Sequence, residues 1–225
     1  MIIAIDGPAG SGKSSTAKAV ARRLNITYLD TGAMYRVITL AALRKNIASS
    51  DNMALAELIS TTKISFTGVP PESRVWMNGE DVSDEIRGEA VTARVSEYCA
   101  PAVVRSALVD QQRLIGEGCS LVCEGRDIGT TVFPRAELKV FMVASVAQRA
   151  SRRKKDFEKL GIVKTEQELM ADLEERDRKD ASRSLSPLAK ADDAVELDTT
   201  EMTLEEQIDW IVERAQAINR NGEKQ

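Results

Sequence analysis

The fold is decided by Gly7-Pro8-Ala9-Gly10-Ser11-Gly12-Lys13-Ser14, a stretch that we call the phosphate loop. It matches the phosphate-binding pattern G-x-x-x-x-G-K-[ST] at every fixed position. The apolar run at residues 2–5 predicts a buried parallel strand before it. The apolar residues after it share one helix face: Ala17, Val20, Ala21 and Leu24. Loop N–H groups and the positive end of the helix dipole favour an anion here, so the stretch predicts a nucleoside triphosphate site.

The phosphate loop assigns roles to two of its residues. Lys13 is expected to reach the β- and γ-phosphates, and the Ser14 hydroxyl is expected to bind Mg²⁺. The predicted nucleotide contacts in this part of the chain are Gly7, Pro8, Ala9, Gly10, Ser11, Gly12, Lys13, Ser14 and Ser15. A glycine turn that contains Lys-Ser by chance is disfavoured, because all fixed positions and both flanking elements fit the pattern.

Composition limits the class of protein. The 225 residues are 43% hydrophobic and 29% charged, which suits one α/β domain with an insertion or two. A net charge of -4 argues against a broad nucleic-acid-binding face, and no apolar run approaches transmembrane length. The three cysteines form no CxxC pair, and a core strand at residue 2 leaves no room for a signal peptide. We therefore expect a cytoplasmic protein with reduced cysteines.

The chain contains no histidine, the residue that most often serves as a general base or metal ligand. Its chemistry must therefore depend on Asp, Glu, Lys, Arg and hydroxyl groups. Transfer between two phosphates can do so, because an ionised phosphate oxygen is already a nucleophile. The main obstacles to that reaction are charge repulsion and positioning.

The remaining pattern predicts a parallel sheet with helices on both faces and two insertions. Further strands are predicted at residues 26–29, 121–123, 138–143 and 194–197. Helices are predicted at 33–45, 88–99 and 102–115, across 146–184 with a break near Gly161, and after a capping box of Thr203 and Glu206. An inserted hairpin is predicted from strands at 64–67 and 74–77, separated by Pro70-Pro71, with a turn at Asn78-Gly79. Residues 221–225 are predicted to be a frayed tail.

Two motifs follow predicted strands, the end at which open α/β sheets bind ligands. Residues 30–36 read Asp-Thr-Gly-Ala-Met-Tyr-Arg. Here Thr31 could cap the next helix, and Arg36 could equally be a phosphate ligand or a surface residue. Residues 124–127 read Glu-Gly-Arg-Asp, and Glu124 is a candidate for orienting the Mg²⁺ shell.

The charged run at 174–183 has two interpretations. Arg176, Asp180 and Arg183 fall at i, i+4 and i+7, so they share one face of a helix. Asp180 between two guanidinium groups could accept a sugar hydroxyl. A solvated helix with i, i+4 ion pairs explains the same spacing and is favoured by the spacing alone.

A basic cluster precedes that run and consists of Arg149, Arg152, Arg153, Lys154 and Lys155. It fits a lid helix whose cations close over a triphosphate, and a plain solvated helix is a comparable interpretation. A nucleic-acid patch is a weaker hypothesis, because no aromatic residues interleave with the cations for base stacking.

Together these motifs resemble those of bacterial cytidylate kinases, from residue 2 to about residue 218. The resemblance rests on the phosphate loop, DTGAMYR at 30–36, EGRDIGT at 124–130 followed by Val132-Phe133-Pro134, and ERDRKDASR at 175–183. Many NTPases share the first motif, whereas the other three are far more specific in this order and spacing.

The resemblance implies an ATP- and Mg²⁺-dependent kinase that transfers the γ-phosphate of ATP to CMP or dCMP. It implies one domain over residues 1–225, with a core at 1–62, 88–150 and 184–225. It also implies a nucleotide-monophosphate-binding insert at about 63–87 and a helical lid at about 151–183. We expect a monomer that binds small-molecule nucleotides and neither nucleic acid nor membranes.

The resemblance further implies roles for individual residues. The positions that match acceptor-phosphate ligands are Thr31, Arg36 and Arg126, with Arg87 nearby. Those that match readers of the cytosine edge are Ser96, Arg105 and Arg183, and those that match ribose contacts are Arg176 and Asp180. The implied catalytic set is Lys13, Arg126, Asp127 and Arg183, and the implied lid contacts to ATP are Arg149 and Arg153. Thr31 and Glu124 stand where the family usually has serine and aspartate.

Charge supports the resemblance independently. An acceptor monophosphate carries close to two negative charges, so several arginines are needed to offset its repulsion from ATP. Arg36, Arg126 and Arg183 fit that need, whereas a neutral acceptor hydroxyl would require a carboxylate base. The alternatives are a kinase acting on UMP, AMP or shikimate, a regulatory nucleotide hydrolase, and an RNA-associated ATPase. The lack of an N-K-x-D motif disfavours the second, and the acidity of the chain disfavours the third.

Overall fold

The computed structural model describes residues 1–68, 73–159 and 163–222. Its main sheet has five parallel strands in the order β2-β6-β1-β7-β8. These strands are β1 (Ile2–Asp6), β2 (Thr27–Asp30), β6 (Leu121–Gly125), β7 (Leu138–Val143) and β8 (Val195–Asp198). The predicted α/β fold with a parallel sheet is confirmed.

Eight α-helices are described in residues 1–68, 73–159 and 163–222. They are α1 (Lys13–Leu24), α2 (Thr31–Arg44), α3 (Asn52–Thr61), α4 (Glu89–Tyr98), α5 (Ala102–Gly116), α6 (Val146–Lys159), α7 (Glu166–Ala181) and α8 (Leu204–Gly222). A short 3₁₀ helix spans Glu85–Arg87, and a π-helical turn spans Ile128–Val132.

The core lies on both faces of the sheet because successive strand residues point to opposite sides. On β1, Ala4 joins one apolar cluster, which contains residues of α2, α4 and α5. Its neighbours Ile3 and Ile5 join the other, which contains residues of α1 and α8. All three are fully buried. The continuous apolar run at the start of the chain is thus the signature of a central strand covered on both faces.

A small antiparallel sheet packs against the first of these clusters. Its strands are β3 (Ile64–Thr67), β4 (Arg74–Met77) and β5 (Glu80–Asp81), and they pair in that order. The predicted hairpin strands are confirmed, and the turn at Asn78-Gly79 joins β4 to β5. The predicted separator Pro70-Pro71 lies outside the described residues.

Four elements of the structure were not predicted, and one of them is the 3₁₀ helix Glu85–Arg87. The other three are helix α3, strand β5 and the π-helical turn after β6. The predicted capping box of the last helix is confirmed, since the Glu206 carboxylate accepts from the Thr203 N–H at 2.8 Å. The predicted break near Gly161 and residues 223–225 of the predicted tail lie outside the described residues. The prediction of a tail is wrong for Asn221 and Gly222, which belong to α8. In the ranges that are described, none of the helices is both long and apolar enough to cross a membrane.

Candidate active site

The phosphate loop joins β1 to α1, as the sequence predicts. Three of its glycines have positive φ angles: Gly7 at 145°, Gly10 at 78° and Gly12 at 97°. A Cβ atom at Gly7 would lie 2.0 Å from the carbonyl oxygen of Met142, so only glycine fits between the loop and β7. The loop then enters the first turn of α1, where free N–H groups and the helix dipole favour an anion.

Lys13 is the first residue of α1, and its side chain is buried. Its Nζ atom donates to the Pro8 carbonyl oxygen at 2.6 Å and to the Ser11 hydroxyl at 3.3 Å. Burial, followed by the positive charge of Arg126, lowers the pKa of Lys13 to about 7. A polyphosphate placed in the loop would therefore restore the positive charge of this lysine.

Hard oxygen donors lie near Lys13. Ser14 and Ser15 are exposed on the first turn of α1. Glu124 is buried at the end of β6, where its Oε1 atom accepts from the Tyr28 hydroxyl at 3.1 Å. Across residues 1–68, 73–159 and 163–222, no three acidic, cysteine or histidine side chains form a metal cage. This donor set fits Mg²⁺, which keeps several water ligands and shares the oxygens of bound phosphates.

Three predicted motifs meet because β2, β6 and β1 are neighbours in the sheet. The register pairs Asp30 with Glu124, and Glu124 with Ile5. Parallel strands end at the same edge, so the phosphate loop, DTGAMYR and EGRDIGT surround one site. Asp30 caps α2 by accepting from the Ala33 N–H at 2.9 Å. The interpretation of Thr31 as the helix cap is therefore wrong.

A pocket at this edge, which we call the arginine pocket, collects most of the residues predicted for an acceptor. Its lining includes Thr31, Arg36, Ser96, Arg105, Arg126, Asp127, Arg176, Asp180 and Arg183. These residues come from the start of α2, from α4 and α5, from the segment after β6, and from α7 and its C-terminal end. Arg87 does not line the pocket and pairs instead with Asp30 at 3.5 Å.

The arginine pocket carries an excess of positive charge. Its lining holds five arginines against three carboxylates, although the whole chain has a net charge of -4. Burial and neighbouring guanidinium groups lower the pKa of Arg36 and of Arg176 to about 10. The buried Nε atoms of Arg105 and Arg176 have no hydrogen-bond partner among the described residues. Unsatisfied donors and uncompensated charge together describe an anion site.

Arg105 and Asp127 form a buried ion pair within this pocket. The Arg105 Nη2 atom lies 2.7 Å from the Asp127 Oδ2 atom, and both side chains are almost fully buried. The Tyr35 ring lies 5.2 Å from the Arg105 guanidinium carbon. Because a carboxylate and an aromatic face fix its plane, Arg105 presents its remaining N–H groups in one orientation.

Asp180 is held between two guanidinium groups, as the sequence suggested, but one of them was not the arginine expected. Its Oδ2 atom accepts from Arg126 Nε at 2.8 Å, and its Oδ1 atom pairs with Arg183. Burial opposes ionisation of Asp180, yet these guanidinium groups hold its pKa below the usual value. Arg126, from the segment after β6, thus takes the place that helix spacing gave to Arg176.

Two predicted phosphate ligands already have protein partners. The Thr31 hydroxyl donates to the Glu124 carbonyl oxygen at 2.6 Å. Arg36 Nη1 donates to the Ile86 carbonyl oxygen and to the Thr92 hydroxyl, both at 2.9 Å. The remaining Arg36 donors and the Thr31 lone pairs are what these side chains can offer a ligand without rearrangement.

The two predicted lid cations are placed differently from each other. Arg149 is buried, and its guanidinium group donates to the carbonyl oxygens of Ala9 at 3.2 Å and Ala144 at 3.1 Å. Arg153 lies over the Phe157 ring at 4.4 Å and close enough to Arg36 to lower its pKa. Arg149 therefore contacts the phosphate loop through the protein backbone.

Sequence reasoning missed two aspartates. Asp6 is buried at the end of β1 and accepts from the N–H groups of Ile128 at 2.8 Å and Gly129 at 2.7 Å. Burial raises the pKa of Asp6 to about 6. Asp177 on α7 accepts from the Ala9 N–H at 3.3 Å. The sequence feature that could have indicated Asp6 is its position as a carboxylate at the end of an apolar strand. Asp177 could have been noticed only as one member of a charged run.

Comparison with known proteins gives a consistent set of relatives. The family model described as cytidylate kinase matches residues 3–217. The cytidylate kinase of Lactobacillus johnsonii is 45% identical over 221 residues, covering 98% of this chain and 96% of that protein. The bifunctional pantoate ligase/cytidylate kinase of Trichormus variabilis is 50% identical over 216 residues, which cover 94% of this chain. The chain spans 40% of the length of that bifunctional relative.

Among solved structures, an uncharacterized protein from Eubacterium ventriosum has a similar fold. The two superpose with a TM-score of 0.51 at 13% identity, covering 95% of this chain and 97% of the other. At that identity the likeness concerns the fold alone.

Proposed function

The chain belongs to the cytidylate kinase family, and we propose that it transfers the γ-phosphate of ATP to CMP or dCMP, giving ADP and CDP or dCDP. The observation that carries the proposal is the arginine pocket beside the phosphate loop. Two positive charges are left over in its lining, which matches the charge of a nucleoside monophosphate. Arg126 and Arg176 both lower the pKa of Lys13, so donor and acceptor sites lie within electrostatic reach of each other.

At the donor side, the loop backbone and Lys13 would hold the β- and γ-phosphates of ATP. The proposed contacts are Gly7, Pro8, Ala9, Gly10, Ser11, Gly12, Lys13, Ser14 and Ser15. The Ser14 hydroxyl would hold Mg²⁺, with Glu124 orienting its water shell, and the ion would supply neutralisation of phosphate charge. Arg153, on the helix pair α6–α7, is the proposed lid cation.

At the acceptor side, Arg36, Arg126 and Thr31 would bind the CMP phosphate. Ser96, Arg105 and Arg183 would read the cytosine edge, with Asp127 fixing the plane of Arg105 through their 2.7 Å contact. Asp180 and Arg176 would contact the ribose hydroxyls. Catalysis then requires little proton transfer, because Lys13, Arg126 and Arg183 stabilise charge while the acceptor oxygen attacks in line.

Water exclusion is the role proposed for the helix pair α6–α7. Transfer to CMP competes with hydrolysis of ATP unless the site closes when both substrates are bound. The insert at 63–87 and the lid at about 151–183 are the segments proposed to close over the core. We also propose a cytoplasmic monomer that acts on free nucleotides, since its cysteines are unpaired and its net charge is negative.

The test is ADP release from ATP with one acceptor at a time: CMP, dCMP, UMP, AMP, GMP, shikimate or none. We expect turnover with CMP and dCMP to exceed every other condition. Strong turnover without an acceptor would instead indicate a hydrolase, and preference for UMP or AMP would refute the cytosine assignment.

Two variants sharpen this assay. Arg183→Ala should lower kcat/KM for CMP by about 10²-fold or more and leave weaker acceptors less affected, because it removes a charged donor to the base. Lys13→Ala should abolish transfer to every acceptor. Equal losses for CMP and for a weak acceptor in Arg183→Ala would contradict the base-reading role.

A further inference from the structure

Asp177 contacts the phosphate loop from the helix that carries the predicted acceptor ligands. It lies on α7 one residue after Arg176 and three before Asp180, but it does not line the arginine pocket. Its Oδ1 atom accepts from the Ala9 N–H at 3.3 Å, and its Oδ2 atom pairs with Arg149. A single helical turn of α7 therefore faces both the acceptor pocket and the donor loop.

Arg149 completes the contact from α6. Its Nη1 atom donates to the Ala9 carbonyl oxygen at 3.2 Å, and its Nε atom donates to the Ala144 carbonyl oxygen at 3.1 Å. Both backbone polar groups of Ala9 are thus held by charged side chains of the helix pair α6–α7. Hydrogen bonds to charged groups are stronger than those between neutral groups, and losing one inside the protein destabilises the folded state.

Packing reinforces the same contact. The Ala9 methyl group is buried in a small apolar cluster with Ala150, Leu169 and Leu173. At Gly10 an added Cβ atom would approach the Arg149 Cβ and backbone oxygen to 3.2 Å. The tip of the phosphate loop is therefore packed directly onto both helices, and α7 cannot shift without moving Ala9 or breaking these contacts.

We propose that Asp177 and Arg149 are positioning residues that couple the two substrates. Acceptor binding to Arg176 and Asp180 orders α7, and Asp177 transmits that order to the donor loop through Ala9. The donor loop is then held in its phosphate-binding conformation before ATP arrives, so each substrate tightens the binding of the other. The inference rests on the proposed function. Arg149 would then act on ATP binding by holding the Ala9 carbonyl group and not by contacting ATP itself.

The experiment is a binding measurement without turnover. Isothermal titration calorimetry measures the Kd of a non-hydrolysable ATP analogue, with Mg²⁺, in the absence and presence of saturating CMP. We expect CMP to tighten analogue binding to the wild-type protein by about tenfold, a typical coupling between sites. In Asp177→Asn the ratio of the Kd without CMP to the Kd with CMP should fall close to one. The amide has one acceptor oxygen in place of two, so it cannot both accept from the Ala9 N–H and form an ion pair with Arg149.

The matched control is Asp172→Asn on the same helix. Asp172 is exposed and pairs only with Lys164 at 2.7 Å among the described residues, so the variant makes the same chemical change away from the loop. It should keep the wild-type coupling ratio. Arg149→Lys is a second test of the contact and should lose the coupling as Asp177→Asn does. It keeps the inference testable if Asp177→Asn fails to fold.

The outcomes separate the two hypotheses. A wild-type protein without coupling, or folded Asp177→Asn and Arg149→Lys variants that keep it, would overturn the inference and leave the proposed function intact. A wild-type protein that neither binds nor phosphorylates CMP would overturn the proposed function instead. A coupling loss in Asp172→Asn equal to that in Asp177→Asn would show a general effect of α7 charge and would also overturn the inference.

Discussion

Lys13 is a residue whose charge depends on what the phosphate loop holds. Burial and the Arg126 charge lower its pKa to about 7, so at neutral pH a large fraction of Lys13 is uncharged. A bound triphosphate reverses this balance, because its negative charge favours the protonated amine. ATP binding above neutral pH should therefore be accompanied by proton uptake.

We expect uptake of about one proton per ATP near pH 8 and almost none near pH 6, where Lys13 is already charged. The measurement is calorimetric titration of ATP with Mg²⁺ in buffers of different ionisation enthalpy. The slope of observed enthalpy against ionisation enthalpy gives the proton number. Lys13→Met should show no uptake near pH 8. An equal proton number at both pH values in the wild-type protein would contradict the pKa assigned to Lys13.

Asp6 shows how one buried side chain can fix the backbone beside a site. Its two carboxylate oxygens hold successive N–H groups at the start of the π-helical turn, directly after Arg126 and Asp127. Burial of the charged form raises its pKa to about 6, so the ionised carboxylate is retained at some energetic cost. The backbone N–H groups offset part of that cost and fix the segment that carries the two pocket residues.

At the scale of elements, the junction between β1 and the phosphate loop is the tightest point of the site. Gly7 combines a φ angle of 145° with a backbone approach that leaves no room for a Cβ atom. The loop can follow its course past β7 only because this residue has no side chain. The loop can therefore start in this conformation only with glycine at its first residue.

Gly7→Ala should raise the KM for ATP by about tenfold or more, since the loop must move away from Met142, and it should lower the free energy of unfolding by about 1–3 kcal/mol. Steady-state kinetics and urea titration measure the two effects. Gly118→Ala is the control: its φ angle is 71°, but a Cβ atom there meets nothing within 4 Å. It should cost about 1 kcal/mol of stability and leave the KM unchanged. Equal effects of both substitutions on the KM would refute the steric argument.

At the scale of the whole molecule, the small sheet shares its apolar cluster with the main core. Val75 and Met77 of β4 are buried in the same cluster as Leu29 of β2 and Leu121 of β6. Strands β1, β6, β7 and β8 come from segments spread over residues 2–198, so no part of the main sheet forms from one local segment. We therefore expect one cooperative unfolding transition.

The two tryptophans allow this expectation to be tested. Trp76 lies on β4 of the small sheet, and Trp210 lies on α8 against the main core. In Trp210→Phe the fluorescence reports on the small sheet, and in Trp76→Phe it reports on α8. Circular dichroism measures the overall unfolding of each variant. Within each variant, fluorescence and ellipticity should give the same urea midpoint. A lower midpoint for Trp76 fluorescence would mean that the insert unfolds as an independent unit.

The elements that could be predicted from the sequence are those that depend on residues close together in the chain. The strand before the phosphate loop, the hairpin strands and the capping box of Thr203 and Glu206 were predicted, because each depends on residues close together in the chain. Helix α3 was missed although Asp51 caps it by accepting from the Ala54 N–H at 3.0 Å, since its short apolar pattern is weak on its own. The π-helical turn was missed because its first N–H groups are held by Asp6, more than 120 residues away.

The sequence by itself determined the α/β class, the phosphate loop and most of the residues that line the arginine pocket, since local periodicity and motifs that resemble those of a known family carry that information. Only the tertiary structure decided how those residues are paired. The order of β2, β6 and β1 brings three motifs to one edge, and it lets Arg126 replace Arg176 as a partner of Asp180. The tertiary structure also brings Asp177 of α7 and Arg149 of α6 into contact with Ala9. Helix spacing predicts which side chains share a face, but the partner opposite that face is set by packing between segments far apart in the chain.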